Sequence, residues 1–144
     1  GGNVPNLPTP EKNLATYRAL SKTIREGLVK TAHDCSEGGL AIAVAEMCIG
    51  GSIGAIIDID GTGDDGLWAR LWGESLGRII IGVSSENEQQ WLEKMSGHRV
   101  TYLGQTTKQS NMVISDGYEE IINLEVESMV SSWQKTLDMT GGVA

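Results

Sequence analysis

The segment from His33 to Gly39 holds most of the side chains in this chain that could take part in chemistry. Its residues are His33, Asp34, Cys35, Ser36, Glu37, Gly38 and Gly39. A histidine can donate or accept a proton near neutral pH, and an aspartate beside it can orient the ring or accept hydrogen bonds from a sugar or an amide. Ser36 as an activated nucleophile is disfavoured, because no base follows in a recognisable order and the other histidine is His98.

Each of these residues also has a structural explanation, which we favour for an isolated domain. Asp34 or Ser36 could cap the following helix, and His33 could be a partly buried histidine with hydrogen-bonded nitrogens. A direct dyad of His33 and Asp34 is disfavoured, because neighbouring residues of a strand point in opposite directions. Cys35 could be a reactive thiol ahead of a helix or a small apolar residue of the core, and we favour the core.

A second group of polar residues, Glu74, Ser75 and Arg78, directly precedes an apolar run that starts at Ile79. Loops at the ends of sheet strands commonly contact ligands, so Arg78 could hold a phosphate. The alternative is an ion pair between Glu74 and Arg78 that fixes the loop. The two roles are compatible, and both stay open at this point.

Periodicity indicates the elements that position the first segment. Residues 29–32 are typical of a short buried strand. The next apolar residues recur at the spacing of one helix face, at Leu40, Val44, Met47 and Cys48. The segment therefore joins a strand to a helix. Gly38 and Gly39 would let a ligand or another backbone approach the free N–H groups of the first helical turn, which is the arrangement of an anion site.

Four further helices are predicted. The first begins at Pro10 with Thr9 as its N-cap and ends near Gly27, and a short one spans residues 66–72. Another starts with a capping box formed by Ser85 and Glu88, and the last follows residue 125. The apolar faces of the later three comprise Leu67, Trp68 and Leu71, then Trp91, Leu92 and Met95, then Val126, Met129, Val130, Trp133 and Leu137.

The sequence predicts three further strands, and we expect them to form a mixed sheet. Residues 53–59 alternate between apolar and other side chains, as in a strand with one buried face. Residues 78–83 include three consecutive isoleucines, and we expect them to form a central strand. Residues 100–103 and 112–114 lie close in sequence, so we expect them to pair with each other in antiparallel fashion.

Four aspartates lie near the second of these strands, at Asp58, Asp60, Asp64 and Asp65. A calcium loop of the EF-hand type needs a glutamate at its twelfth position. Counting from Asp58 or Asp60, that position holds Ala69 or Leu71. We therefore predict a solvated turn with capping aspartates and no metal site.

Length and charge bound the organisation and the partners. The 144 residues fit one domain over residues 10–138, with a linker at residues 1–9 and a flexible tail at 139–144. A net charge of −8 disfavours binding to nucleic acid or to an anionic membrane by net attraction. Two cysteines, no apolar run of membrane length and no signal peptide predict a cytoplasmic protein. The chain lacks the G-x-x-x-x-G-K-[ST] phosphate loop, so we do not expect it to hydrolyse ATP alone.

The stretch HDCSEGGLAIAVAEM resembles the HD-x-S-[DE]-GGL segment in the carboxy-terminal domain of the phosphoribosylformylglycinamidine synthase family, within the aminoimidazole ribonucleotide synthetase superfamily. GGNVP at the start, GGSIGA from Gly50 and LWGESLGR from Leu71 are similar to that family in the same order, the last resembling its F-[GS]-E-S-x-x-R segment. Cys35, Trp72 and Leu76 depart from the residues common there. The resemblance extends to about Leu137.

This resemblance implies an α+β fold, an α/β sandwich with a mixed, largely antiparallel sheet flanked by helices. It implies a ligase of purine biosynthesis that uses Mg-ATP, bound mainly by other domains. The implied reaction is the ATP-dependent conversion of formylglycinamide ribonucleotide to the amidine with glutamine-derived ammonia. The implied partners are the other synthetase domains, a glutaminase subunit, a small accessory subunit and the phosphorylated ribonucleotide.

The resemblance assigns no catalytic residue to this chain. The candidates for ligand contact are His33, Asp34, Ser36, Glu37, Gly38, Gly39, Glu74, Ser75 and Arg78. A related ATP-dependent kinase or maturation factor and a non-catalytic interaction module are the alternatives. Whether the synthase is the short form or the form with a fused glutaminase stays open.

Overall fold

The computed structural model describes residues 9–63 and 66–135. Its helices are α1 (Pro10–Arg25), α2 (Gly39–Gly51), α3 (Leu67–Trp72), α4 (Glu88–Lys94) and α5 (Val126–Gln134). Its strands are β1 (Val29–Asp34), β2 (Gly54–Asp58), β3 (Ile79–Val83), β4 (Gly104–Thr107), β5 (Asn111–Asp116) and β6 (Glu119–Glu125). Residues 1–8 of the predicted linker, residues 136–138 of the predicted domain and the predicted tail at 139–144 lie outside the described residues, so the domain bounds stay predictions.

Helix α1 begins and ends where its sequence predicts. The Thr9 hydroxyl accepts a hydrogen bond from the Lys12 N–H at 3.4 Å, and Pro10 occupies the first helical turn. Proline fits there because the N–H groups of the first turn have no acceptor inside the helix, so the absence of one costs no hydrogen bond. After Arg25 the chain passes through Gly27 at a φ of +76°, a conformation that glycine adopts without strain.

Helix α2 lies at the centre of the fold. Glu46 is the one charged residue among its thirteen, and a helix that is apolar on all sides is normally enclosed. One side of α2 packs near Ile80 of β3, and other sides contact a core contributed by the second sheet. The buried residues of that sheet are Ala55, Ile57, Met112 and Ile114. Contacts to both sheets explain why most of α2 is apolar, although Ile42 on its open side remains 39% exposed.

The first sheet consists of β1 and β3, paired antiparallel. Ile79 and Ile81 of β3 pack with Leu20 of α1 and Trp91 of α4, whereas Ile80 packs on the α2 side. The three isoleucines are therefore apolar because helices cover both faces of the strand. Our prediction that this strand is central was wrong, since β3 pairs with β1 alone in the described part of the chain.

The second sheet has the order β4-β2-β5-β6. β2 and β5 are parallel, and the other two pairs are antiparallel, so the sheet is mixed and largely antiparallel as predicted. The predicted pairing of residues 100–103 with 112–114 was wrong. The strand starts later, at Gly104, and β2 lies between β4 and β5.

Strand β6 was missed by the sequence analysis. It follows a turn at Asp116 and Gly117, where Gly117 has a φ of +63°. An Asp-Gly pair between apolar stretches is a strong signal for a β-hairpin. The signal was therefore present in the sequence, although alternation in β6 is weak because three glutamates occupy it.

Several helix details also differ from the prediction. The capping box at Ser85 does not form, because a turn comes first, in which the Asn87 N–H donates to the Ser84 carbonyl at 2.9 Å, and α4 starts only at Glu88. Trp91, Met95, Leu71, Val126 and Met129 are buried as predicted. Trp68, Leu92 and Trp133 are instead exposed, at 71%, 46% and 68%. Leu137 lies outside the described residues.

Candidate functional site

The two polar segments meet at the N-terminus of α2. The Gly38 N–H donates to the Glu74 carboxylate at 3.0 Å, although the residues lie 36 positions apart. A helix N-terminus attracts negative charge, so Glu74 is well placed there. Gly38, with a φ of +74°, is the N-cap residue. The prediction that Asp34 or Ser36 caps this helix was therefore wrong, because the carboxylate comes from the other segment.

Gly39 allows the start of α2 to lie directly against the end of α3. A Cβ at this position would lie 2.7 Å from the Trp72 carbonyl carbon, 2.8 Å from the Leu71 oxygen and 2.9 Å from the Gly73 oxygen. Its φ of +65° is also in the left-handed region. Glycine is thus needed here for an approach between two backbones of the same chain.

Arg78 binds the carboxyl end of α3. Its Nη1 donates to the Gly73 carbonyl at 3.1 Å and its Nη2 to the Arg70 carbonyl at 2.9 Å. A cation at this end of a helix is favourable, because the last carbonyls have no partner inside the helix. The predicted Glu74–Arg78 ion pair is not formed in the described structure, since each side chain bonds backbone groups instead.

A second arginine, Arg70, fixes α3 to the second sheet. Its guanidinium forms a bidentate ion pair with Asp116, in which Nη1 donates to Oδ1 at 2.8 Å and Nη2 donates to Oδ2. Nη1 also donates to the Ile59 carbonyl at 3.2 Å. The hydrogen bond with Asp116 raises the pKa of Arg70 above its usual value. Sequence reasoning missed this pair, because its members are 46 residues apart and no local pattern joins them.

His33 and Asp34 point to different surroundings. The Nδ1 of His33 lies 2.7 Å from the Asp34 carbonyl, and its Nε2 lies 3.0 Å from the carboxylate of Glu46 in α2. The side chain of Asp34 is 72% exposed, and its Oδ1 is 3.9 Å from the ring. The residues therefore do not form a hydrogen-bonded catalytic dyad. They share the wall of an open cleft of about 420 Å³, which is lined by Leu20, Ile24, Ala32, His33, Asp34 and Ile79.

The remaining candidates differ in exposure. Cys35 is 5% exposed, and burial raises the pKa of its thiol, as expected for a core residue rather than a nucleophile. Ser36 and Glu37 are exposed, and the Ser36 carbonyl accepts the Gly39 N–H at 3.2 Å. Ser75 is half-buried. Solvent thus reaches the polar side chains of the first segment, while its cysteine belongs to the core.

Asp58, the last residue of β2, has backbone partners. Asp58 Oδ1 accepts the N–H groups of Asp60 and Gly117, each at 2.9 Å. These two hydrogen bonds lower the pKa of Asp58. Asp64 and Asp65 lie outside the described residues. Within residues 9–63 and 66–135, no three His, Cys, Asp or Glu side chains converge as a metal ion would require.

Comparison with known proteins defines the class. Residues 2–117 match the family of AIR synthase related proteins, C-terminal domain, and the chain belongs to this family. Among its relatives is the phosphoribosylformylglycinamidine synthase subunit PurL of Synechocystis sp., 35% identical over 127 residues, or 85% of this chain and 16% of that protein. The subunit of Methanocaldococcus jannaschii is 35% identical over 133 residues, covering 89% of this chain and 17% of that protein. The chain thus spans about a sixth of these relatives.

Solved structures of Thermotoga maritima PurL share the fold. One has a TM-score of 0.76 at 21% identity and covers 95% of this chain and 25% of its own. A second, complexed with FGAR, has a TM-score of 0.74 at 22% identity and covers 85% and 21%. The predicted family resemblance and α+β fold are confirmed. The PurL relatives and the family match also support the main functional interpretation over its alternatives.

Proposed function

We propose that this chain serves as the carboxy-terminal domain of a phosphoribosylformylglycinamidine synthase and forms one wall of its substrate cleft. The observation that carries the proposal is the hydrogen bond from Gly38 to Glu74, which joins the two segments that resemble the family. This bond brings the two polar segments together at one end of α2, and Asp34 of the first segment also lines the open cleft.

The complete enzyme would activate the formyl amide oxygen of formylglycinamide ribonucleotide by phosphorylation. Ammonia from glutamine would then displace the phosphate and give the amidine, a step of purine biosynthesis. The partners would be the other domains of the synthetase chain, a glutaminase subunit and a small accessory subunit, in the cytoplasm. PurL of Thermotoga maritima has been solved with ATP and with FGAR, which supports a nucleotide and a ribonucleotide as ligands. In the described part of this chain no helix is long and apolar enough to cross a membrane.

The residues present do not fit Mg-ATP. The N-terminus of α2 would be the natural seat of a phosphate, but the carboxylate of Glu74 already binds there. Two of the guanidinium nitrogens of Arg78 bond to carbonyls of α3 and the following residue. We therefore assign nucleotide and magnesium binding to other domains, and the isolated chain should show no ligase or ATPase turnover.

The charge of the first segment favours a neutral, donor-rich part of the ligand. Asp34 and Glu37 of this segment are exposed carboxylates and Glu74 adds a third at the start of α2, and these charges would repel a phosphate. Exposed carboxylates accept hydrogen bonds from ribose hydroxyls and amide N–H groups. We therefore propose that Asp34, with its exposed side chain, contacts the ribose or the amide of the ribonucleotide rather than its phosphate.

Binding can be tested with the folded domain. Calorimetry and thermal-shift titrations would use ADP, Mg-ATP and formylglycinamide ribonucleotide on the native protein, Asp34→Asn and Glu74→Gln. Glu119→Gln, which changes an exposed carboxylate in β6, is the matched control. We expect ribonucleotide binding to weaken in Asp34→Asn and to be unchanged in the control. Equal binding by Asp34→Asn and the native protein would remove Asp34 from the site.

The role within the enzyme needs the other domains. A chimera in which this chain replaces the aligned part of Synechocystis PurL should support ammonia-dependent formation of the amidine, and the isolated chain should not. The same chimera with Glu119→Gln tests for unspecific effects of a substitution. Turnover by the 144-residue chain alone, or a folded chimera without turnover, would contradict the proposal.

A further inference from the structure

Aspartates that directly precede a glycine are chemically reactive positions in a chain. Glycine has no side chain to hinder its backbone nitrogen, and its backbone adopts conformations closed to other residues. The nitrogen can therefore reach the carboxyl carbon of the preceding aspartate and close a five-membered succinimide ring. The chain contains three such pairs, Asp60–Gly61, Asp65–Gly66 and Asp116–Gly117. Asp65 lies outside the described residues, and the surroundings of the other two pairs differ.

The first of these pairs occupies an exposed turn after β2. The Thr62 N–H donates to the Ile59 carbonyl at 3.1 Å. Asp60 and Gly61 are therefore the two central residues of this turn, and both are exposed. The Asp60 N–H donates to Asp58 Oδ1 at 2.9 Å. In the described part of the chain, neither the Asp60 carboxylate nor the Gly61 N–H has a hydrogen-bond partner. Among those residues nothing holds the two reacting groups apart.

The third pair, Asp116 and Gly117, is held by the fold. Both carboxylate oxygens of Asp116 accept hydrogen bonds from Arg70. The Gly117 N–H donates to Asp58 Oδ1 at 2.9 Å. Space does not distinguish the two pairs, because a Cβ on either glycine would meet nothing within 4 Å. The difference between them lies in their hydrogen bonds, which occupy both reacting groups of the third pair.

We propose that Asp60 is a site of spontaneous isomerisation to isoaspartate, from which the folded chain protects Asp116. The Gly61 nitrogen loses its proton and bonds to Cγ of Asp60, and one carboxyl oxygen leaves as water. Water then opens the succinimide at one of its two carbonyl carbons. Breaking the bond from nitrogen to Cγ restores aspartate, whereas breaking the bond to the main-chain carbonyl carbon leaves the chain running through Cβ and Cγ. One water is lost and one is regained, so the step needs no other reactant.

Isomerisation lengthens the backbone inside the turn that contacts Arg70. The Ile59 carbonyl accepts hydrogen bonds from the Thr62 N–H at 3.1 Å, the Thr62 hydroxyl at 2.7 Å and Arg70 Nη1 at 3.2 Å. An extra backbone carbon between Asp60 and Gly61 enlarges the ring that the first of these bonds closes. The turn must then change shape, which disturbs a contact that fixes α3. The isomerised chain should therefore melt at a lower temperature than the fresh chain.

Peptide mapping of the aged native chain tests this without any substitution. The folded chain is kept near neutral pH at body temperature, and tryptic peptides 31–70 and 109–135 report on the two sites. Electron-transfer fragmentation identifies isoaspartate and its position. It should accumulate several-fold faster at Asp60 than at Asp116, and the two rates should converge in guanidinium chloride, where no fold protects either site. Equal rates in the folded chain, isoaspartate at Asp65 alone, or a difference that persists after unfolding would overturn the proposal.

The Asp60→Glu variant tests the effect on the turn. It keeps the exposed carboxylate, but ring closure would give a six-membered ring, which forms much more slowly. We expect this variant to keep its melting temperature on ageing, whereas that of the native chain falls as isoaspartate accumulates. Circular dichroism measures both, and if Asp60→Glu does not fold, the melting of fresh and aged native chain decides. An equal fall in the variant, or a native chain that melts unchanged after Asp60 has isomerised, would refute the effect on the turn.

Discussion

Substitution of Gly39 by alanine tests the close approach of α2 and α3 on which the site depends. The left-handed φ of +65° should cost alanine about 1–2 kcal/mol. The new Cβ would also lie within 3.0 Å of three backbone atoms at Leu71, Trp72 and Gly73. These atoms cannot rotate away as a side chain can, so overpacking should add about 1–3 kcal/mol. The expected loss is about 2–5 kcal/mol, a large part of the ~5–15 kcal/mol that stabilises a typical domain.

Gly27→Ala is the matched control. Gly27 also has a left-handed φ, +76°, but a Cβ there would meet nothing within 4 Å. This variant should therefore lose only the conformational part, about 1–2 kcal/mol. The difference between the two variants isolates the contact between the helices.

Urea denaturation followed by circular dichroism measures both losses. With a slope of about 2 kcal/mol per M, Gly39→Ala should lower the midpoint by about 1–2.5 M and Gly27→Ala by about 0.5–1 M. In folded Gly39→Ala, the Gly38 amide should also exchange faster, because a displaced α2 would lose its bond to Glu74. Equal losses in the two variants would mean that the backbones do not approach as described.

Three further outcomes are expected. Cys35 and Cys48 are buried, and burial raises the pKa of both thiols, so neither should react with Ellman's reagent until the protein unfolds; fast reaction of the folded chain would contradict this. Hydrogen bonds lower the pKa of Asp58 in the folded protein. The ionised carboxylate therefore stabilises the folded state fully above the pKa of Asp58 in the unfolded chain, about 4, and this stabilisation is lost as the pH falls through the pKa in the folded protein. The stability of Asp58→Asn to denaturation should accordingly fall furthest below that of the native chain near neutral pH. A stability difference that grows on acidification would contradict this assignment. Arg70→Lys keeps the positive charge but loses the bidentate pairing with Asp116, so it should lower the melting temperature. The decrease should be larger than in Arg99→Lys, because the guanidinium of Arg99 donates only to the exposed Thr62 carbonyl.

Local signals in the sequence predicted the helices well. Thr9 and Pro10 define the start of α1 through a cap and a fixed φ, which depend only on nearby residues. The apolar run after Gly39 likewise predicted α2. The failures concern exposure at helix surfaces, as at Trp68 and Trp133, where periodicity alone does not show which neighbours exist.

Strand pairing was predicted less well, because it depends on contacts between distant residues. The insertion of β2 between β4 and β5 leaves no trace in the spacing of the latter two. For the site, the sequence named both segments but not their contacts. The bonds from Gly38 to Glu74, from Arg70 to Asp116 and from His33 to Glu46 all join separate elements. Pattern reasoning found the residues, and only the fold assigned their partners.

These contacts form a continuous chain from the second sheet to the candidate site. Asp116 holds Arg70 in α3, and the carbonyls of Arg70 and Gly73 hold Arg78 at the entrance to β3. Glu74, the next residue after Gly73, binds the start of α2. The six-residue helix α3 is too short to be stable by itself, so this chain of bonds must determine its position. In this domain the second polar segment thus mainly holds the first in place, whereas the contact of the exposed Asp34 carboxylate with a ligand stays a prediction.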